Sequence, residues 1–185
     1  MFDYELVRSN RKTIAVQVKK DGNVVVRAPR AMSKLEINYF LRMNRVWIDK
    51  HVHEAKENFK AEEQIPKLTR EELMKLALLA KEVIPGRVEY YAGLIGVTYG
   101  RITIRAQKTR WGSCSAKGNL NFNCLLMAAP PEVLDSVVVH ELCHRKHMDH
   151  SKEFYEEIYK VYPDYKKYHK WLKENGAALM ASLPE

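Results

Sequence analysis

Residues 130–144 read Pro130-Pro131-Glu132-Val133-Leu134-Asp135-Ser136-Val137-Val138-Val139-His140-Glu141-Leu142-Cys143-His144, and the nature of the fold turns on this stretch. Proline is tolerated in the first turn of a helix, so the paired prolines mark a helix start. Val133, Leu134, Val137 and Val138 then recur at helical spacing and give the helix an apolar side. His140 and His144 are four residues apart, one turn along the same face, so both imidazoles can reach one ion. Glu141 is rotated about 100° from His140, close enough to act on water held at that ion without binding it. The stretch therefore predicts a buried helix that carries an H-E-x-x-H metal motif.

A metal site needs a third ligand, and two histidines compete for the place. On a continuing helix His147 would follow His144 on the same flank, and three donors along a straight helix line up rather than converge. His150 would point roughly 240° away on such a helix, so it joins the site only where the chain turns back. Met148-Asp149 is a suitable place, because an aspartate ahead of a new helix serves as a turn or cap residue. The spacing favours His150 over His147 and gives H-E-x-x-H-x5-H, the ligand pattern of metzincins and related peptidases. Those enzymes have glycine where this chain has His147, so its turn must be built differently. Three histidines leave one tetrahedral position open for water, the mark of a catalytic rather than a structural zinc site. Tyr155 or a loop arginine could stabilise an oxyanion there. His51 and His53 read as solvated helix residues; His169 reads as a surface residue in preference to an outer partner of the metal ligands. Cys143 reads as packed against the core.

Outward from the motif, the chain alternates strands and helices in the manner of an α+β fold. Residues 13–18 and 24–28 read as two opening strands, joined by a hairpin turn at Asp21-Gly22, a dipeptide suited to positive φ. Ser33 with Glu36 forms a capping box, which starts a helix over 33–59 with a basic solvent face. Residues 64–67 contain Pro66 and read as a linker. Thr69 with Glu72 is a second capping box, opening an apolar helix that Pro85-Gly86 should kink or interrupt. Residues 97–106 read as a strand, 111–119 as a loop, and 120–127 as another strand. After the motif, helices are expected over 152–161 and 165–175. Arg101, Thr103 and Arg105 share one side of their strand, and Lys108 and Arg110 follow. These cations could hold a phosphate or carboxylate. Equally, Trp111 could anchor the loop in the core while the charges are solvated.

The 185 residues suit one domain, or a domain with a small N-terminal extension, able to bury a core without disulfides. The content of 46% hydrophobic and 29% charged residues excludes a disordered chain. Lys and Arg number 31 against 23 Asp and Glu, a net +8 that favours anionic partners without choosing among them. Cys114, Cys124 and Cys143 form no CxxC pair and read as small buried hydrophobes of a reducing compartment. No apolar run approaches the ~20 residues of a membrane span, and the first residues lack a signal-peptide pattern. The expectation is a soluble, cytoplasmic protein with no membrane partner.

Several stretches together resemble the YgjP-like metallopeptidase family, related to the SprT-like and WLM proteases. They are Arg11-Lys12-Thr13-Ile14, the run from Asp21 to Pro29, Trp47-Ile48, Thr109-Arg110-Trp111-Gly112-Ser113-Cys114-Ser115, the metal motif, and His150-Ser151-Lys152-Glu153-Phe154. The chain departs from the family pattern at Asp149, Tyr155 and Cys124. The resemblance implies one zinc per chain, His140, His144 and His150 as its ligands, and Glu141 as the catalytic carboxylate. It implies a single domain over 1–185, with a β-hairpin and long helix over 1–63. Residues 68–185 would form the catalytic part, a small mixed sheet packed on helices with a zincin-like active-site helix. It also implies a hydrolase of peptides. Some YgjP-like proteins are described as UTP pyrophosphatases, so a nucleotide substrate is the second expectation. A nucleic-acid-associated protease is the third.

Overall fold

The computed structural model describes residues 3–184. The chain divides into two units, Met1–Ile65 and Pro66–Glu185, each with a hydrophobic core of its own.

In the first unit the hairpin forms where Asp21-Gly22 places it, between β2 (Ala15–Val18) and β3 (Val24–Pro29). Within this turn Gly22 takes positive φ, at 83°. Its N–H donates to the Lys19 carbonyl at 3.0 Å, and the Lys19 N–H donates to Asn23 at 2.8 Å. The connection is thus a turn closed by a left-handed glycine rather than a two-residue loop. The expectation of two opening strands is corrected by a third, β1 (Tyr4–Ser9), which lies parallel to β3 and completes the order β1-β3-β2. Its register comes from a partner distant in sequence, which local alternation cannot reveal. Arg8 fastens it, donating to the carbonyls of Pro29, Arg30 and Met32 at 3.0, 3.0 and 2.6 Å.

The single helix expected over 33–59 is instead two, α1 (Lys34–Met43) and α2 (Arg45–Glu63). Asn44 breaks it. Its side-chain amide donates to the Phe40 carbonyl at 2.8 Å and so competes with the helical ladder. The capping box of Ser33 and Glu36 is present as read. The core of this unit is Val24, Val26, Ala28, Ile37, Leu41 and Ile48.

The second unit begins with α3 (Arg70–Ile95), opened by the Thr69–Glu72 capping box. The interruption expected at Pro85-Gly86 does not occur; the helix runs through Pro85. Proline removes one ladder bond, but Ala80, Ile84 and Val88, all fully buried, hold both halves to the same core. A second mixed sheet follows, in the order β4-β6-β5. It contains β4 (Ile102–Arg105), β5 (Gly112–Cys114) and β6 (Leu120–Asn123), with β4 parallel and β5 antiparallel to β6.

Both expected strands in this region are shorter than read, and the expected loop over 111–119 contains β5. The strand read over 120–127 ends at Asn123, whose side-chain oxygen accepts from the Leu125 N–H at 3.2 Å and starts a 3-10 turn, Cys124–Ala128. The fully buried Asn123 amide also donates to the carbonyls of Gln107 and Arg110, at 2.7 and 3.1 Å.

Helix α4 (Pro131–Cys143) runs through the centre of this unit, packed against α3, β5, α5 (Lys152–Val161) and α6 (Tyr165–Ala181). Every residue from 133 to 139 is buried, two of them polar. The Ser136 hydroxyl donates to the Val133 carbonyl at 2.7 Å. Asp135 receives two bonds of 2.7 Å from the Arg87 guanidinium. A buried carboxylate without such a pairing would be strongly destabilising.

Candidate metal centre

His140 and Glu141 occupy the last turn of α4, and the helix ends at His144, its C-cap. The chain then tightens into a turn, with the N–H groups of Arg145 and Lys146 donating back to Leu142 and Cys143 at 2.9 and 3.0 Å. Arg145 secures the turn to its surroundings, donating to the carbonyls of Thr98 at 3.0 Å and Ala116 at 3.3 Å. Lys146 forms an ion pair with Glu157 of α5. His150 stands immediately before Ser151, the N-cap of α5, whose hydroxyl accepts from the Phe154 N–H at 3.3 Å. The helix direction thus changes between His144 and His150, which lets the third imidazole approach from a new side.

The structure brings His140, His144 and His150 together: their potential ligand atoms all lie within 4.8 Å of one another. The Nε2 atoms of His140 and His150 are 3.2 Å apart. Two nitrogens held about 2.0–2.1 Å from one tetrahedral ion would stand about 3.4 Å apart, so the pair fits such an ion. The ring of Phe154, fully buried, forms the floor, with its centroid 5.0, 4.6 and 5.0 Å from those of His140, His144 and His150.

The ring of His147 does not join this group, but its backbone does. Nδ1 of His144 lies 3.0 Å from the His147 carbonyl. A carbonyl only accepts, so His144 carries its proton on Nδ1 and keeps a lone pair on Nε2. Nδ1 of His140 lies 2.9 Å from the hydroxyl of Tyr165, which is 3.3 Å from Nδ1 of His169. Burial, and then the neighbouring His144, His150 and His169, push His140 down to about 3. It is therefore neutral at physiological pH, the form that ligates. The donor set suits a divalent cation. The surface position expected for His169 is corrected: it is half-buried and closes this chain of hydrogen bonds. His51 is also half-buried, stacked on Trp47 with centroids 4.0 Å apart.

Glu141 is buried at 6% exposure, with its carboxyl against the backbone of Gly112. A Cβ at Gly112 would stand 2.6 Å from Oε1 and 2.9 Å from Cδ of Glu141, so only glycine lets the strand approach so closely. Burial pushes the Glu141 carboxyl up to about 8, and the Arg110 charge acts against that rise. Beside these groups lies a cleft of about 160 Å3 lined by Trp111, Val137, His140, Glu141, Tyr165 and Leu172.

Trp111 packs on the core and against Gly176 of α6, the anchoring role considered from the sequence, while Arg101, Arg105, Lys108 and Arg110 are exposed. Cys124 and Cys143 are buried as expected, but Cys114 is only half-buried. Tyr155 lies beside His150 with ring centroids 6.4 Å apart. Sequence reasoning passed over Tyr165, Gly112 and Asn123. Of these, Tyr165 left a trace, since it precedes His169 by one helical turn.

A family model described as the YgjP-like metallopeptidase domain matches residues 12–79 and 71–175. The chain belongs to the YgjP-like family. As a YgjP-like metallopeptidase domain it is a metal-dependent hydrolase. No curated protein matches it. Among solved structures it is similar to the metallopeptidase zymogen of Pyrococcus abyssi abylysin at 22% identity and a TM-score of 0.45, over 50% of this chain and 94% of that one. The metallopeptidase zymogen of Methanocaldococcus jannaschii jannalysin is similar at 19% identity and a TM-score of 0.45, over 50% of this chain and 95% of that one. Among the described residues of the YgjP-like chain, no helix is long and apolar enough to cross a membrane.

Proposed function

We propose that this YgjP-like protein is a zinc-dependent peptidase in which His140, His144 and His150 hold one metal ion and Glu141 is the general base. The convergence of the three imidazoles, within 4.8 Å, carries the reading. Zinc held by these three residues would supply Lewis-acid chemistry, lowering the pKa of a bound water from 15.7 to about 7. His144 offers Nε2 because the His147 carbonyl holds its Nδ1 proton. The Tyr165 hydroxyl, 2.9 Å from Nδ1 of His140, holds that ring in place. A nearby cation favours the charged carboxylate, which opposes the burial that raises Glu141. Glu141 then accepts the proton of the attacking water and returns it to the leaving amide nitrogen. Tyr155 and Arg110 are the candidate donors to the oxyanion. The cleft beside Glu141 excludes bulk water on its apolar side, formed by Trp111, Val137 and Leu172.

A peptide substrate is supported by β5. It is an edge strand whose Gly112 touches Glu141, so an extended peptide pairing along it would lie at the carboxylate. One observation favours a second reading, hydrolysis of a nucleoside triphosphate such as UTP: the Arg110 charge lies close enough to bear on Glu141 and could meet a phosphate. Metal-loaded protein is incubated with casein and, separately, with UTP, alongside Glu141→Gln. Casein cleavage that falls about 10²–10⁴-fold in the variant at unchanged metal content supports the peptidase. Release of pyrophosphate with casein untouched selects the second reading, and near-wild-type turnover by the variant removes Glu141 from the mechanism.

A further inference from the structure

We infer that the outer edge of β4 is a docking groove for an acidic, extended peptide segment, distinct from the metal centre. β4 pairs with β6 on one side only, and β5 holds the opposite edge of the sheet, where Gly112 meets Glu141. The Leu120 N–H donates to the Arg101 carbonyl at 2.9 Å, which fixes the alternation. Arg101, Thr103 and Arg105 direct their backbone groups toward β6, whereas Ile102 and Ile104 direct theirs outward. Among the described residues, those outward N–H and C=O groups have no partner.

They open onto a groove of about 570 Å3 between β4 and α3, lined by Lys81, Pro85 and β4 itself. Pro85 has no N–H, so the Lys81 carbonyl on the same wall lacks its helical donor. The groove therefore offers unpaired backbone donors and acceptors at strand spacing, which is what an added strand requires.

Charge decides the occupant. Lys81, Arg101 and Arg105 line the groove, no acidic side chain does, and none of the three forms a salt bridge among the described residues. Cations along an edge repel a second copy of the same edge, the usual protection against self-pairing. The same charges attract a strand that carries carboxylates. An oligonucleotide would satisfy the cations but leave the alternating N–H and C=O groups of Ile102 and Ile104 without strand-like partners. An acidic peptide satisfies both. The groove goes beyond the proposed peptidase chemistry and does not depend on it, because none of its residues belongs to the metal centre.

The probe is a fluorescein-labelled peptide of alternating Glu and Val, titrated into the metal-loaded full chain and followed by anisotropy. The same peptide is added to 15N-labelled protein to map amide shifts. The expected result is saturable binding that weakens with salt and shifts the Ile102 and Ile104 amides. Binding should fall about tenfold in the Arg101→Glu, Arg105→Glu double variant, whose side chains are exposed and outside the core. Casein cleavage by that variant should match wild type, which separates the groove from the metal centre. Equal binding of a Lys-Val peptide, shifts confined to Gly112–Cys114, or binding unchanged by the charge reversals would overturn the inference. So would tighter binding of oligo-dT that displaces the acidic peptide.

Discussion

Replacing Gly112 by alanine should move the Glu141 carboxylate while leaving the three histidines in place. The added Cβ would stand 2.6 Å from Oε1, 2.7 Å from Cγ and 2.9 Å from Cδ. Ordinary contact begins near 3.4 Å, so the carboxylate must retreat by about 0.8 Å. It has little room, since Glu141 is buried and β5 is held to β6 through Gly112 and Phe122. Misplacing a catalytic group by about 1 Å can cost 10²-fold in rate, so kcat should fall by about that factor. Overpacking should also cost about 1–3 kcal/mol of stability. The assay measures kcat and KM on a quenched fluorescent peptide, metal content by a chromogenic chelator, and the Tm of each variant. Adding Glu141→Asp shortens the clashing side chain and should recover the lost stability without recovering rate. If Gly112→Ala keeps full kcat at full metal content, the carboxylate seated against Gly112 is not the group that moves the proton.

Tyr165→Phe removes the hydroxyl 2.9 Å from Nδ1 of His140, and zinc affinity in chelator competition should fall about 10–100-fold. His150→Ala should cost far more affinity than His147→Ala, because only the His147 backbone touches the site; the reverse order in the same competition would exclude His150 as a ligand. Lys146 and Lys160 hold the Glu157 carboxyl below its ordinary value. Its contribution is therefore present above the unfolded value near 4.3 and lost as pH falls through the folded one. Glu157→Gln should thus be less stable than wild type by ~1 kcal/mol at pH 7, and urea titrations should show the gap closing below about pH 4.

The convergence of His140, His144 and His150 was legible because two of the three lie in one short helical stretch. Helical spacing alone brings His140 and His144 to one face, and the off-axis requirement singles out His150. The turn that delivers His150 was foreseen in kind but placed too late: the helix already ends at His144, fastened by Arg145 to carbonyls at Thr98 and Ala116. Those partners are remote in sequence, and nothing near Arg145 announces them. β1 and β5 were illegible for a related reason. Each gains its definition from a neighbour, β3 or β6, and β5 has only three residues on which to show any alternation. Helix α3 continues through Pro85, against the local propensity of proline, because Ala80, Ile84 and Val88 pack into a core drawn from the whole unit. Tyr165 meets His140 only after α6 has folded back onto α4.

The two hydrophobic clusters have no residue in common: Val24 to Ile48 serve one, and Ala80 to Leu172 the other. Each unit therefore draws its cohesion from its own apolar contacts, and unfolding need not be all-or-none. A metal ion held by His140, His144 and His150 would add a binding free energy that grows with the logarithm of its concentration. That gain would accrue first to the unit that carries the three histidines. The hairpin unit could open while the metal stays bound to the other, so the melting temperature of this chain would depend on which unit the chosen probe observes.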